Sequence, residues 1–300
     1  MRFIPDFRKR VKSKIHKIFF ERFEYRYLNL SDQIVNLNSG IIPNTVYQTW
    51  VSRSVPWRLF ESIKEFRNLN KNFSFLLFSH EERDKYMKKN WGNRKIYEIY
   101  ENSVFQPSKA DIWRYCILYD NGGYYFDIKS GCSSPLSDFK ISNGAVVTHE
   151  DNTFLCVPSI NIINSDQFNL NLIANWGFGF QKKHPLLGIT ISNIEKYSEF
   201  FTNKVFENPK SAILAFTGPG MLTKSYIDYL ECSNKAISAN GIDFNNKGIY
   251  SLKGAEYRYK LSLKYGIMKN KDPNYAVKIE KAIAEKYGKE AIVNPKSQWD

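Results

Sequence analysis

The sequence predicts an α/β protein, a mostly parallel sheet flanked by helices, and three observations predict it. Short runs with the β-branched or aromatic bias of strands recur at 45–51, 73–78 and 124–126. Longer segments between them carry helical spacing of apolar residues. The two kinds of segment alternate at the lengths that connect neighbouring parallel strands.

Taken in order, the elements begin with a segment set apart from the rest. Over residues 1–35, Ile4, Phe7, Val11, Ile15 and Ile18 recur every three or four positions, and Arg8, Lys9, Arg10, Lys12, Lys14 and Lys17 fill the gaps. This is the pattern of a basic amphipathic helix, suited to an anionic membrane surface through residues 1–30 or to docking on protein. A second unit, 36–300, holds the α/β domain with a C-terminal helical part and tail. Within it a strand at 45–51 precedes a helix at 56–69 that opens on Pro56, and a second strand covers 73–78. Helices at 80–90 and 93–103 lead to one at 107–121, with Pro107 in its first turn and Gly122-Gly123 as its stop. A strand follows at 145–148, then helices at 186–204, 219–231 and 271–289.

Composition narrows the class. The chain has 300 residues, enough for one large α/β domain, and a formal net charge of +13. Such a charge suits phosphate-bearing ligands or an anionic surface. No zinc-finger spacing, RNA-recognition signature or glycine-arginine tract accompanies it, which argues against nucleic acid. Cys116, Cys132, Cys156 and Cys232 are widely spaced without a CxxC pair, fitting reduced thiols and not a zinc site or disulfide framework. No run reaches the roughly 20 apolar residues of a spanning helix, and no signal peptide is evident. These features lead to the expectation of a cytoplasmic protein, with peripheral attachment at the inner face of the cell membrane left open.

The chemistry concentrates in 107–127. Ile112, Tyr115, Cys116 and Tyr119 mark one buried face of the helix, while Asp111 and Arg114, three apart, share another. Asp127 ends the following strand, where α/β folds place ligands. The three side chains are therefore expected to converge on one polar ligand.

Ala110-Asp111-Ile-Trp-Arg114-Tyr115, Leu118-Tyr119 and Gly122-Gly123-Tyr-Tyr-Phe-Asp127 resemble the DXD-motif sugar transferases of glycosyltransferase family 32, and more distantly the glucosylating clostridial toxins. Ile42-Pro43-Asn-Thr-Val-Tyr-Gln48-Thr49-Trp50, Asn175-Trp176, His184-Pro185 and Thr217-Gly218-Pro219-Gly220 follow in the expected order, so the resemblance spans about residues 41–225. It implies a GT-A-type nucleotide-sugar-binding fold and a transferase that retains anomeric configuration. In that pattern Trp50 stacks on the donor base, Asp111 and Arg114 hold the donor sugar, and Asp127 meets the ribose and any metal. One departure stands out. The second acid of the pattern is Lys129, which repels a divalent ion but can offer its ammonium to phosphates. Three outcomes stay open: metal-free transfer, Mn²⁺ or Mg²⁺ held by Asp127 with other ligands, or a weakened enzyme.

Three further segments complete the candidates. In His149-Glu150-Asp151, Glu150 suits an acceptor hydroxyl or positive charge developing at the sugar. Ser297-Gln298-Trp299 resembles the toxins' closing segment, with Ser297 and Trp299 on the donor diphosphate. Thr217-Gly218-Pro219 reads as a helix cap and His184-Pro185 as a helix entry. The expectation is a hexosyltransferase using a nucleotide-sugar donor, UDP-hexose before GDP-mannose. Its acceptor would be a glycan or lipid-linked sugar, in bacterial capsule or lipopolysaccharide synthesis. The alternative is a nucleotide-sugar-binding scaffold of a membrane-associated polysaccharide assembly complex.

Overall fold

The computed structural model describes residues 27–36, 40–103, 105–149, 172–201, 209–240 and 249–251. Residues 1–26 of the expected basic segment, the helix at 271–289, Cys156, Glu150, Asp151, Ser297 and Trp299 lie outside them.

Strands β2 (Thr45–Trp50), β4 (Ser74–Ser79) and β5 (Gly123–Phe126) form the parallel part of a five-stranded sheet ordered β4-β2-β5-β8-β7. Strands β8 (Gly177–Phe180) and β7 (Ala145–Val146) complete it. β8 runs antiparallel to both β5 and β7, so the sheet is parallel in three of its strands and antiparallel at one side. This mixed edge is the difference from a wholly doubly wound sheet. β8 enters from the carboxyl side of β5, with Gly177 opposite Phe126, and so brings residues 172–176 to the end of β5 where ligands bind.

Helix α1 (Trp57–Leu69) covers one face of the sheet. Its buried Leu59, Ile63 and Phe66 meet Val46, Phe75, Leu77, Tyr124 and Phe126. The other face receives α2 (His80–Trp91), α3 (Lys95–Asn102), α4 (Gln106–Asn121), α5 (Pro185–Phe201) and α7 (Pro219–Ser233) around Tyr47, Tyr125, Phe178 and Phe180. A further helix, α6 (Pro209–Phe216), was not expected from the sequence. Strand alternation explains the division: Val46 and Tyr124 point to one side, Tyr47 and Tyr125 to the other. The Gly-Phe-Gly-Phe run of β8 follows the same rule. Its phenylalanines fill the α4 side, and a Cβ at Gly179 would stand 2.5 Å from the Tyr124 ring on the other.

Among the described residues, the predicted helices from 56–69 to 219–231 and the three parallel strands appear within a few residues of their expected bounds. The 145–148 strand is shorter, ending at Val146, with Thr148 in an isolated bridge to Asn240. Four strands escaped the sequence reading along with β8. β1 (Tyr27–Asn29) pairs with β3 (Ser54–Pro56), and β6 (Ser130–Cys132) with β9 (Ile249–Ser251). Each has three residues, too few for a period to show.

Helix α4 is not amphipathic in the way its spacing suggests. Residues 110–118 are all buried, because the sheet lies beneath while α3, α5 and the Thr217–Gly218 turn close the other sides. It ends at Gly122, whose φ of +68° and amide bond to Leu118 O at 2.7 Å turn the chain directly into β5. Gly123 follows at φ +105°, and a Cβ there would meet the Thr45 carbonyl oxygen of β2 at 2.6 Å. Gly123→Ala is therefore expected to destabilise the protein by about 2 kcal/mol or more. Urea denaturation should show a lowered midpoint with an unchanged slope.

Candidate functional site

Three predicted residues meet at the carboxyl end of β5. Arg114 Nη2 lies 3.1 Å from Asp111 Oδ1 and 3.3 Å from Asp127 Oδ1, so one guanidinium joins both acids. Asp111 and Arg114 are each 5% exposed, whereas the Asp127 side chain is 26% exposed. The predicted i,i+3 salt bridge of α4 thus exists, and it is buried.

Residues not predicted for the site hold this pair in place. Asn175 Nδ2 donates to Asp111 Oδ1 at 3.0 Å, and its carbonyl accepts from Arg114 Nη1. Thr217 Oγ1 donates to Asp111 Oδ2 at 3.0 Å. Tyr125 donates its hydroxyl to Asp127 Oδ1 at 2.6 Å, while the Arg114 guanidinium stands 4.2 Å over the Tyr125 ring. Arg114 Nε donates to Ala110 O at 3.3 Å, so four of the five guanidinium N–H groups are committed. The cap reading of Thr217 needs correction: Gly218 caps α7, and the Thr217 hydroxyl serves Asp111 instead. His184 is buried between Phe180 and Tyr229 and accompanies the entry to α5, as its sequence position suggested.

The electrostatics follow from burial. Desolvation pushes the Asp111 carboxyl up to about 7, although Arg114, Thr217 and Asn175 all favour its ionised form. Burial also opposes the charge of Arg114, but Tyr125, Asp111 and Asp127 more than offset this and raise it above its ordinary value. The Tyr125 hydroxyl, buried beside Asp127, is raised well above its usual range and stays a donor.

Asp127 anchors a tight turn. Its amide donates to Trp176 O at 2.8 Å, and its carbonyl accepts from the Ser130 amide at 2.7 Å. This places Lys129, which is exposed, on the turn beyond the strand. Both contacts to the Asp127 carboxylate fall on Oδ1, and Oδ2 has no partner among the described residues. By themselves the described residues do not complete a divalent-ion site: one Asp127 oxygen is open, both Asp111 oxygens already accept hydrogen bonds, and no group of three or more metal-binding side chains lies among the described residues.

Trp50 closes β2, the strand beside β5, and is partly buried against the α1-side core. His149, partly exposed, bridges to Ile173 and packs edge-on to Tyr226, so the start of the predicted acceptor cluster lies beside the 172–176 segment. No described helix is long and apolar enough to cross a membrane.

Comparison with known proteins agrees with the resemblance read from the sequence. Residues 56–147 match the model of the family described as glycosyltransferase sugar-binding region containing DXD motif. The chain is 25% identical over 192 residues to inositol phosphoceramide mannosyltransferase 1 of Schizosaccharomyces pombe, covering 63% of this chain and 52% of that protein. It is 24% identical over 221 residues to the initiation-specific alpha-1,6-mannosyltransferase of Candida albicans, covering 67% and 56%. The chain spans about half the length of these relatives. The solved PaToxG glycosyltransferase aligns over 98% of this chain and 92% of its own at a TM-score of 0.46 and 13% identity.

The Asp111 carboxyl gives a test of the geometry. Its folded pKa lies above the unfolded value, so the folded state keeps a proton that the unfolded state has released. Its contribution to stability therefore falls as pH rises from about 4 to about 7. The loss runs at up to about 1.4 kcal/mol per pH unit. Asp111→Asn should flatten the stability profile in that window, measured by urea denaturation at stepped pH. Identical profiles would show that Asp111 titrates normally.

Proposed function

We propose that the chain is a retaining hexosyltransferase that moves a sugar from a nucleoside-diphosphate donor to a hydroxyl of a glycan or lipid-linked acceptor. The observation that carries this reading is the Asp111–Arg114–Asp127 network within the DXD-motif region, which fixes one open carboxylate oxygen beside an exposed lysine. The names of the relatives favour a mannosyl group and a glycolipid or glycan acceptor over a bacterial capsule or lipopolysaccharide. That places GDP-mannose ahead of UDP-hexose as the donor.

The division of labour follows from what each group has left to offer. Asp127 presents Oδ2 to the donor ribose or sugar. Lys129 neutralises charge on the departing diphosphate, a preorganised stabilisation that supplies much of the rate in group transfer. Arg114 and Asp111 act mainly beneath this, with one uncommitted Nη1 hydrogen and the remaining lone pairs of the carboxylate available to sugar hydroxyls. Trp50 offers its indole face to the base. Glu150 on the acceptor, and Ser297 and Trp299 on the diphosphate, remain proposals from the sequence. A divalent ion bound with the donor would supply Lewis-acid neutralisation of the same phosphates. Lys129 supplies part of it from the protein. On this reading the chain is cytoplasmic, with residues 1–30 as the candidate contact for peripheral attachment at the inner face of the cell membrane.

Turnover should be measured with GDP-mannose and UDP-hexoses, in EDTA and in Mn²⁺. Activity is expected in EDTA, and Lys129→Ala should lower kcat roughly 100-fold. Lys129→Asp should recover activity only with Mn²⁺. A wild-type enzyme silent in EDTA and restored by Mn²⁺ would overturn the role given to Lys129. Donor binding without transfer to any acceptor, including water, would favour the scaffold reading.

A further inference from the structure

Gln48, near the end of β2, is 0% exposed, and among the described residues neither its Oε1 nor its Nε2 has a hydrogen-bond partner. Its surroundings explain why. Strand alternation puts Gln48 on the α1 side of the sheet, the side of Val46 and Trp50. On one flank it is in register with Leu77 of β4. On the other it lies beside Phe126 of β5, because Tyr47 pairs with Tyr125. Leu77 and Phe126 belong to the core that Leu59 and Ile63 of α1 cover. An amide enclosed by hydrocarbon loses its bonds to water and gains none in return. Leucine or methionine would fill the same place without that cost, so the amide calls for a reason.

The strand decides from which direction that cost can be relieved. Towards the amino end, the next side chain on the same face is Val46, fully buried. Towards the carboxyl end it is Trp50, about 7 Å along the strand. Trp50 is the last residue of β2 and only partly buried against the α1-side core. β2 and β5 are parallel neighbours, so the edge that β2 reaches at Trp50 is the edge where β5 delivers Asp127. Trp50 therefore separates the unpaired amide from the edge that carries the candidate site. A ligand that draws the indole outwards meets the amide behind it.

We propose that Gln48 is a donor-binding residue: the Trp50 indole turns outwards to stack on the base of the nucleotide sugar, and the uncovered amide hydrogen-bonds the edge of that base. This inference rests on the nucleotide-sugar reading above and adds to it a residue and a coupling. A primary amide presents an acceptor beside two donors, and nucleobase edges carry the groups that answer them. The unliganded fold holds an amide that only the nucleoside satisfies, so relief of a cost already present adds to the affinity. A ligand with phosphates and no base gains nothing from it. The arrangement also trades stability for function, since the residue that serves the ligand burdens the empty protein.

Two measurements on the full chain test this, each with Gln48→Met and Gln48→Leu beside the wild type. In calorimetry, the tighter binder of GDP and UDP should lose about 10- to 100-fold in affinity in both variants. Pyrophosphate should bind all three proteins equally. In urea denaturation without ligand, the variants should unfold at a higher midpoint with an unchanged slope. A merely structural glutamine predicts the reverse pair: lower midpoints and unaltered nucleotide binding. Midpoints lowered in both variants would show that the amide is satisfied inside the fold and would overturn the proposal. Nucleotide affinity kept by both variants, or lost equally for pyrophosphate, would overturn it as well and leave the transferase reading standing. Failure of the wild type to bind either nucleotide would overturn both.

Discussion

A guanidinium taken out of water costs several kcal/mol unless its charge and its hydrogens are met, and Arg114 is the place where this chain meets that cost. Asp111 answers it from the same helix, Asp127 from the end of β5, and Asn175 from the segment before β8. Tyr125 lies flat beneath the guanidinium and spends its hydroxyl on Asp127. Thr217, from the turn before α7, completes Asp111. One ion therefore ties together α4, β5, β8 and α7, and moving any of them would leave a buried charge or hydroxyl unpaired.

The same constraint explains why α4 is buried on every side. An amphipathic helix could leave Asp111 and Arg114 at its wet face, where a salt bridge contributes little and water competes for each donor. Enclosed, the pair becomes rigid, and the freedom left at the sheet edge belongs to the partly exposed Asp127 and the exposed Lys129. Rigidity below and access above is what a site needs if its charges are to be arranged before the ligand arrives.

How much of this was legible in the sequence depends on the range of each interaction. The helix–glycine–strand unit around Asp111, Arg114 and Asp127 was readable because its signals are local: a proline start, a glycine stop, an aromatic strand. Their convergence followed from strand-end geometry. Asn175 and Thr217 were not readable as partners of Asp111, because they lie 64 and 106 residues away and only the folded sheet brings them near. Tyr125 was seen as a strand former, and its hydroxyl bond to Asp127, two residues on, depends on how the strand end bends. β8 was missed since two of its four residues are glycine, a poor strand former that is needed there only because the Tyr124 ring presses on Gly179.

The lysine at position 129 then acquires a meaning that motif reading alone could not supply. With an acid in its place and Asp111 ionised, Asp111, Asp127 and that acid would outweigh Arg114, leaving an excess of two negative charges to face the proposed diphosphate. A divalent cation would restore balance there. With Lys129 the four groups are balanced by themselves, and a dication would gain less while facing an ammonium at close range. On the proposed reading, the substitution would also move the neutralising charge from an ion that can leave with the product to a side chain that cannot. Release of a diphosphate from a fixed ammonium depends on that side chain relaxing. A lysine on an exposed turn, with its long flexible stem, suits this better than the buried Arg114 guanidinium, four of whose five N–H groups are already committed.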